Sequence, residues 1–191
     1  MKTPAPFTET RTILDRMGIE RALTRMAHEI VEQNNGVEGL VLIGIRTAGI
    51  YLSERIARKI AKVEEKEVPA GIIDVTLYRD DLALGRFQPV VRKTEIPFSV
   101  EGKKVVLVDD VLYTGRTIRA AMDALIDFGR PSRIELAVLI DRGHRELPIS
   151  PDFVGLKVTT TQEESVIVRL EETMGCEEAV IERVVHVKKD K

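Results

Sequence analysis

The chain has 191 residues, of which 43% are hydrophobic and 31% charged, so it is long enough to bury the core of one globular domain. Its 29 basic and 31 acidic residues give a net charge of −2, so any binding of nucleic acid would have to rest on a local basic patch. The single cysteine, Cys176, excludes an internal disulfide and a cysteine-rich zinc site, and no apolar run reaches membrane-spanning length.

The two ends of the chain are polar. Residues 1–12 contain two prolines and no apolar segment of a secretory signal, which favours a loose arm and a cytoplasmic protein. The last four residues are charged, and neither repeats nor low-complexity segments occur between the ends. We therefore predict an N-terminal arm over residues 1–14, a single domain over residues 15–187 and a charged tail over residues 188–191.

The first predicted helix covers residues 15–33, where apolar side chains recur at helical spacing before an Asn-Asn-Gly stop. Its other face carries Arg21, Thr24, Arg25 and His28 within about a third of the circumference. Taken alone, this polar face indicates solvation, with Arg25 and Glu29 forming an ordinary i,i+4 pair.

A nearly all-apolar strand follows at residues 39–45 (GLVLIGI), as in a parallel sheet that is covered on both faces. It leads into Arg46 and Thr47 and then a helix over residues 50–62. Polar residues at the carboxyl end of a parallel strand face the usual ligand crevice, although a plain βα turn is an alternative.

Residues 71–77 (GIIDVTL) predict another strand, which ends at Tyr78 and Arg79. The polar span that follows, up to about residue 97, is long enough to be a functional lid. It could equally form a β-hairpin in which residues 89–93 pair back.

The most informative segment is residues 105–117 (VVLVDDVLYTGRT), in which a buried strand leads to Asp109 and Asp110 and then to a Thr/Gly turn before a helix. Carboxylates accept hydrogen bonds from sugar hydroxyls, whereas the free N–H groups and partial positive charge of a helix N-terminus bind phosphate. The pattern therefore predicts a site for a ribose 5-phosphate. The alternative is an ordinary βα turn with acidic surface residues.

The rest of the chain completes an α/β pattern with right-handed crossovers. A helix is predicted over residues 117–128, a strand over residues 133–140, a polar loop over residues 141–149, and short strands over residues 153–159, 164–170 and 179–187.

Several blocks resemble one known family. Residues 105–117 resemble the phosphoribosyl-diphosphate signature of type I phosphoribosyltransferases. The matching blocks are residues 21–30 (RALTRMAHEI), 76–82 (TLYRDDL), 107–117 (LVDDVLYTGRT), 123–132 (DALIDFGRPS) and 136–149 (LAVLIDRGHRELPI). Together they resemble the PyrR family of bifunctional pyrimidine operon attenuators and uracil phosphoribosyltransferases, over about residues 15–170. The resemblance implies the type I fold, with a mostly parallel central sheet flanked by helices, a small hood and a flexible loop.

The resemblance also implies roles for individual residues in making UMP from uracil and phosphoribosyl diphosphate. Asp109 and Asp110 would hold the ribose hydroxyls, Arg46 and Thr47 the diphosphate with Mg²⁺, and Arg79 would reach the diphosphate from the flexible loop, which begins at Tyr78. The remaining substrate-binding residues would be Val111, Leu112, Tyr113, Thr114, Gly115, Arg116 and Thr117 around the ribose 5-phosphate, and Asp141, Arg142 and Val166 in the hood around uracil. No metal site made of protein ligands alone is predicted.

Members of this family also bind pyrimidine operon messenger RNA, and UMP strengthens that binding. The resemblance places Arg21, Thr24, Arg25, His28, His144 and Arg145 on the RNA face, and twofold pairing of such patches suits a homodimer or a higher homo-oligomer. Some members carry basic residues where this chain has Gln33, Ser150 and Leu156, and each missing cation weakens phosphate binding.

Three functional alternatives follow: an enzyme that also regulates, an enzyme without RNA binding, and a regulator whose catalysis has decayed. The intact motifs at residues 78–82 and 109–117 argue against the third. The phosphoribosyl motif alone also leaves orotate or a purine open as the base.

Overall fold

The computed structural model describes residues 7–80 and 93–185. The helices are α1 (Arg16–Asn34), α2 (Ala48–Glu64), α3 (Arg116–Ile126) and α4 (Glu171–Met174). The strands are β1 (Phe7–Asp15), β2 (Leu40–Ile45), β3 (Ala70–Ile73), β4 (Lys104–Leu112), β5 (Arg133–Asp141), β6 (Phe153–Lys157), β7 (Glu164–Arg169) and β8 (Glu178–Val185). None of the helices in these two parts of the chain has the length and apolar character needed to cross a bilayer.

Five strands form a parallel sheet in the order β3-β2-β4-β5-β6. The central strand, β4, pairs Val105 with Val41 on one side and with Ile134 on the other. All five strands end at the same edge, so the polar residues that follow them meet there. The predicted parallel α/β sheet is confirmed.

The sheet is buried on both faces because alternate residues of each strand point to opposite sides. On one face, Leu42 and Val106 pack with α1 and α2, and on the other, Ile43 and Leu107 pack with α3. Burying each such side chain contributes about 1.5–3 kcal/mol before the entropy cost of folding. This explains why the strands are nearly continuous apolar runs.

A second sheet is antiparallel, in the order β1-β8-β7, and we call it the hood sheet. The prediction of a loose arm up to residue 12 is wrong for residues 7–12, since Phe7–Asp15 pairs with β8 from Phe7 to Asp15, with one register shift between Thr12 and Leu14. The backbone N–H and C=O groups of β1 are hydrogen-bonded by β8, which lies more than 160 positions away in the sequence. A local sequence pattern cannot reveal such a distant pairing.

Two of the predicted strand ends are also wrong. β3 stops at Ile73 instead of residue 77, because the Asp74 side chain accepts hydrogen bonds from the Thr76 N–H, at 2.8 Å, and the Thr76 hydroxyl, at 2.5 Å. This turn starts a short 3-10 helix, Thr76–Tyr78. In contrast, β4 continues through both aspartates to Leu112, since β5 pairs with it as far as Asp141.

Several predictions lie wholly or largely outside the described residues. They are the flexible loop beyond residue 80, the alternative hairpin at residues 89–93 and the charged tail at residues 188–191.

Candidate active site

The two aspartates lie near the carboxyl end of β4, at the centre of the sheet. Asp109 is only 6% exposed, and its Oδ1 accepts the Asp110 N–H at 3.0 Å. Asp110 is partly buried, and its Oδ1 accepts the Val111 N–H at 3.0 Å. These backbone contacts fix both carboxylates in place before any ligand binds.

The environment of the pair disfavours two negative charges. Burial raises the pKa of Asp109 well above its ordinary value, and the charge of Asp110 raises it further, while Arg79 acts in the opposite direction. Burial also raises the pKa of Asp110. Hydroxyl donors or a cation beside the two carboxyl groups would stabilise their charged forms and so lower the free-energy cost of ionising both.

The turn after β4, at Thr114 and Gly115, leads directly into the first turn of α3. Gly115 is the N-cap of α3 with φ 94° and makes no side-chain cap, and the Thr114 hydroxyl accepts the Arg116 N–H at a long 3.4 Å. A Cβ on Gly115 would lie 3.3 Å from Cδ1 of Ile149, which is tighter than ordinary packing. The Thr114 carbonyl accepts the N–H groups of Glu146 and Leu147 at 3.0 and 3.2 Å, so the loop that follows β5 fixes this turn.

A cavity of about 280 Å³ lies over this turn. It is lined by Arg79, Val111, Leu112, Tyr113, Thr114, Gly115, Arg116, Thr117, Ile118 and Glu146. The structure therefore brings Arg79 together with all seven residues predicted at the phosphate turn. Glu146 is a site residue that sequence reasoning missed; it holds Arg116 Nε at 2.7 Å, and Asp80 holds Arg116 Nη1 at 2.9 Å.

The turn after β2 reaches the same edge of the sheet. The Arg46–Thr47 peptide is cis, and Arg46 Nη2 donates to the carbonyl of Lys93 at 2.8 Å. Gly49, in the first turn of α2, packs directly on β4: a Cβ there would lie 2.3 Å from the Val108 carbonyl oxygen and 3.3 Å from Cα of Asp109. The uncapped start of α2 therefore lies next to the acidic pair.

The third polar segment, after β5, forms a bridge to the hood sheet. Arg142 is 7% exposed, lies 4.1 Å above the Tyr113 ring and donates to the carbonyls of Thr161 and Glu164 at 3.1 and 2.7 Å. Asp141 accepts a hydrogen bond from Arg145 at 2.6 Å. Arg142 thus couples the ring beside the cavity to the start of β7.

Eight predicted substrate residues do not line this cavity: Arg46, Thr47, Tyr78, Asp109, Asp110, Asp141, Arg142 and Val166. Two of them, Val166 and Tyr78, make contacts elsewhere in the fold. Val166 packs half-buried against the core under α1 and α2. The Tyr78 hydroxyl bonds Asp127, just after the far end of α3, and that contact raises the pKa of Tyr78. Asp74, which sequence reasoning also missed, fixes the turn that precedes Arg79; the Asp-x-Thr spacing was the available signal.

The predicted RNA-face residues on α1 are all exposed, but several are already bonded. Arg25 donates to the carbonyls of Val154 and Gly155 on the edge strand β6, at 3.0 and 2.5 Å, and pairs with Glu29 at 2.9 Å. The Thr24 hydroxyl donates to the Glu20 carbonyl at 2.8 Å. His28 Nδ1 lies 2.7 Å from the Thr24 carbonyl oxygen. Arg21 lies on the same helix.

The other two predicted RNA-face residues are bonded within the loop after β5. Arg145 donates to the Tyr113 and Ile149 carbonyls at 2.9 and 3.1 Å, which ties that loop to the end of β4. His144 Nε2 lies 2.6 Å from the Thr160 carbonyl oxygen.

The three positions at which some family members carry a basic residue lie in different environments. Gln33 donates to the buried Glu135 at 2.9 Å, Leu156 packs partly buried against the core, and Ser150 is exposed.

The family model for the phosphoribosyl transferase domain matches residues 9–173. A bifunctional protein PyrR of Pelotomaculum thermopropionicum is 61% identical over 173 residues, which is 91% of this chain and 96% of the relative. A bifunctional protein PyrR of Thermus aquaticus is 64% identical over 157 residues, 82% of this chain and 87% of the relative.

A solved hypoxanthine phosphoribosyl transferase of Trypanosoma cruzi superposes with a TM-score of 0.71 at 21% identity, covering 95% of each chain, which shows the shared fold. The chain therefore has the type I phosphoribosyltransferase fold and belongs to the PyrR family of bifunctional phosphoribosyltransferases.

Proposed function

We propose that this chain transfers the phosphoribosyl group of phosphoribosyl diphosphate to uracil, giving UMP and diphosphate, and that it regulates pyrimidine genes by UMP-dependent binding to their messenger RNA. One observation carries the enzymatic part. The buried Asp109 and the partly buried Asp110 lie at the same strand end as a helix start whose N-cap is a glycine, with a cavity of about 280 Å³ over the turn between them.

The ribose 5-phosphate fits this arrangement by its chemistry. Its 2- and 3-hydroxyls donate to Asp109 and Asp110, which lowers the cost of keeping both acids charged. Its phosphate accepts hydrogen bonds from the backbone N–H groups of the Gly115 turn and from the hydroxyls of Thr114 and Thr117. Because the turn is held rigidly by the loop after β5, these donors are in place before the reaction.

The leaving diphosphate lies between Arg79 and the Arg46–Thr47 turn in this proposal. Within the described residues, no group of three or more His, Cys, Asp or Glu side chains could hold a metal ion. A Mg²⁺ ion held by Asp109, Asp110 and substrate oxygens fits this donor set, because Mg²⁺ prefers oxygen ligands and commonly takes several from phosphates. When bound, the ion neutralises charge on the leaving group.

The reaction joins N1 of uracil to the anomeric carbon as the bond from that carbon to the diphosphate oxygen breaks, and the N1 proton is released to solvent. Positive charge develops on the sugar ring, beside the carboxylates of Asp109 and Asp110, and negative charge develops on the diphosphate, beside Arg79. Fixed charges of the right sign at both ends favour the transition state over the ground state. Tyr113, with Arg142 above its ring, provides the wall against which the base stacks.

The test compares three variants with the wild type in a UMP-forming assay. Asp110→Asn and Arg79→Ala should each lower turnover at least about tenfold, as expected for lost preorganised contacts. Arg130→Gln, which changes an exposed side chain at the opposite edge of the sheet, is the matched control and should behave as wild type. Near wild-type rates in both site variants would refute the assignment.

Regulation by RNA binding is supported by membership of the PyrR family and by the exposed face of α1, where Arg21, Thr24 and His28 are presented to solvent. Since Arg25 and Arg145 are bonded to protein carbonyls, they contribute charge and shape from fixed positions. The alternative is an enzyme without RNA binding. A homodimer or higher homo-oligomer would double the surface offered to RNA.

A gel-shift titration with the organism's own pyrimidine leader RNA, at stated salt, separates these two alternatives. The regulator binds the leader more tightly with UMP than without it, and more tightly than a scrambled RNA of equal length. If UMP and sequence make no difference, only the enzyme remains.

A further inference from the structure

Helix α2 lies beside the exposed face of α1. Lys59 Nζ donates to Glu20 at 2.6 Å and to the Thr24 hydroxyl at 3.1 Å, and Arg55 lies 4.0 Å from Glu20. Position 55 of α2 therefore lies opposite position 20 of α1, and position 59 lies opposite positions 20 and 24. The two helices thus run side by side in the same direction. Surface residues of α2 thus adjoin those of α1.

One face of α2 is basic. Arg55, Arg58, Lys59 and Lys62 fall within an arc of about 100° at 100° per residue. With Glu20 and Ala61 they line a groove of about 300 Å³ between the helices. Four cations against one carboxylate leave three excess positive charges in this lining, on a chain whose net charge is −2.

Only part of this charge is neutralised by neighbours. Arg55 pairs with Glu172, at 2.7 Å, and with Glu177, and Lys59 pairs with Glu20. Arg58 and Lys62 are exposed, and in the described parts of the chain neither forms an ion pair. Arg58 also adjoins carboxylates, since it lines a second cavity with Glu171, Glu172 and Glu177. Both cations nevertheless lie on the outer side of the groove without a direct ion pair in the described residues.

We infer that the RNA face continues from α1 across the Thr24–Lys59 contact onto α2, where Arg58 and Lys62 bind backbone phosphates. The inference rests on the proposed RNA function. It supplies two phosphate contacts in a chain that has Gln33, Ser150 and Leu156 where some family members carry basic residues.

RNA fits this surface better than a membrane or an acidic protein does. The groove lining offers no large apolar side chain to enter a bilayer or to anchor a protein partner. Instead, the groove joins the exposed face of α1, because Lys59 donates to the Thr24 hydroxyl and Arg21 and His28 are exposed on the same helix. Evenly spread cations and hydroxyls without an apolar centre are typical of phosphate-backbone recognition.

The experiment measures the affinity of the intact protein for its pyrimidine leader RNA, with UMP, over a series of KCl concentrations. The double variant Arg58→Gln, Lys62→Gln is compared with Lys66→Gln, Arg130→Gln, which removes the same charge elsewhere; Lys66 lies beyond α2 and pairs with Glu38. Each lost phosphate contact lowers the slope of log K against log salt by about 0.7–0.9. The α2 variant should therefore lose about 1.4–1.8 from the slope, while the control keeps it and both keep wild-type UMP synthesis.

The possible failures are distinguishable. If the wild type binds the leader and the α2 variant keeps its slope and affinity, the inference is overturned while RNA regulation stands; an acidic-protein or membrane role for this face predicts that result. Equal losses in both double variants would also overturn it, because they would reflect net charge alone. If the wild type shows no UMP-dependent binding of the leader, the proposed RNA function fails, and the inference fails with it.

Discussion

The phosphate turn can be tested by adding a single methyl group, with Gly115→Ala. Gly115 has φ 94° and is the last residue before α3, and its missing side chain leaves room for the loop after β5. An alanine there must adopt a backbone conformation that L-residues avoid. Its Cβ would also lie 3.3 Å from Ile149 Cδ1 and 3.5 Å from Leu147 Cβ.

The magnitude follows from these two effects. A left-handed backbone costs alanine about 1–2 kcal/mol, and each kcal/mol lowers the melting temperature of a domain of this size by about 2–4 °C, so a loss of about 2–8 °C is expected. The close contacts also push the turn outward by a few tenths of an ångström. Because the 5-phosphate is bound in ground state and transition state alike, its displacement should raise the KM for phosphoribosyl diphosphate about tenfold with little change in kcat.

The assay is a steady-state titration of phosphoribosyl diphosphate at saturating uracil, together with thermal melting. Gly102→Ala is the matched control: Gly102 also has a positive φ, of 67°, but nothing lies within 4 Å of an added Cβ, and it precedes the amino end of β4. It should lose stability and keep its KM. If Gly115→Ala raises the KM no more than Gly102→Ala does, the turn does not hold the phosphate.

Three further predictions concern charged side chains. Burial raises the folded-state pKa values of Asp109 and Asp110, so the unliganded protein should lose stability as the pH rises from about 4 through those values. Asp109→Asn should therefore have a higher melting temperature than wild type at pH 8 and the same melting temperature near pH 4.5. A variant that melts at a lower temperature than wild type at both pH values would contradict this. Asp74→Ala should lower kcat/KM about tenfold, because it loosens the turn before the flexible loop. Asp74→Asn keeps an acceptor oxygen and should retain most activity. Equal losses of activity in both variants would argue against this positioning role. Arg55→Ala leaves Glu177, only 6% exposed, without its cation, so calorimetry should show a loss of about 3 kcal/mol, and an unchanged melting curve would mean that the pair contributes nothing.

The sheet and the three long helices were predictable because their signals are local. The apolar runs of β2 and β4, and the 3.6-residue spacing in α1, are set by burial against the same core. β1 could not be found this way, since what makes it a strand is its pairing with β8 near the other end of the domain. The early end of β3 depended on the Asp74 side chain, which competes with the strand for backbone donors.

The contiguous residues of the predicted phosphate turn line one cavity, whereas the more distant residues around that turn could not be predicted. Asp109, Asp110 and the Gly115 turn are contiguous in sequence, so one motif specifies them. Glu146 enters through a loop more than 30 positions away, and only the folded chain shows that its backbone fixes the turn. Likewise, sequence pattern does not distinguish a cation offered to RNA from one such as Arg25, whose donors are satisfied by the edge of the sheet.

The central claim is that this site makes UMP from uracil. The most direct measurement is the steady-state kcat/KM of the wild-type protein for uracil, orotate and hypoxanthine, each with phosphoribosyl diphosphate and Mg²⁺. A strong preference for uracil, lost in Asp110→Asn, is the predicted result. No transfer to uracil, or transfer to orotate or hypoxanthine at an equal rate, would contradict it.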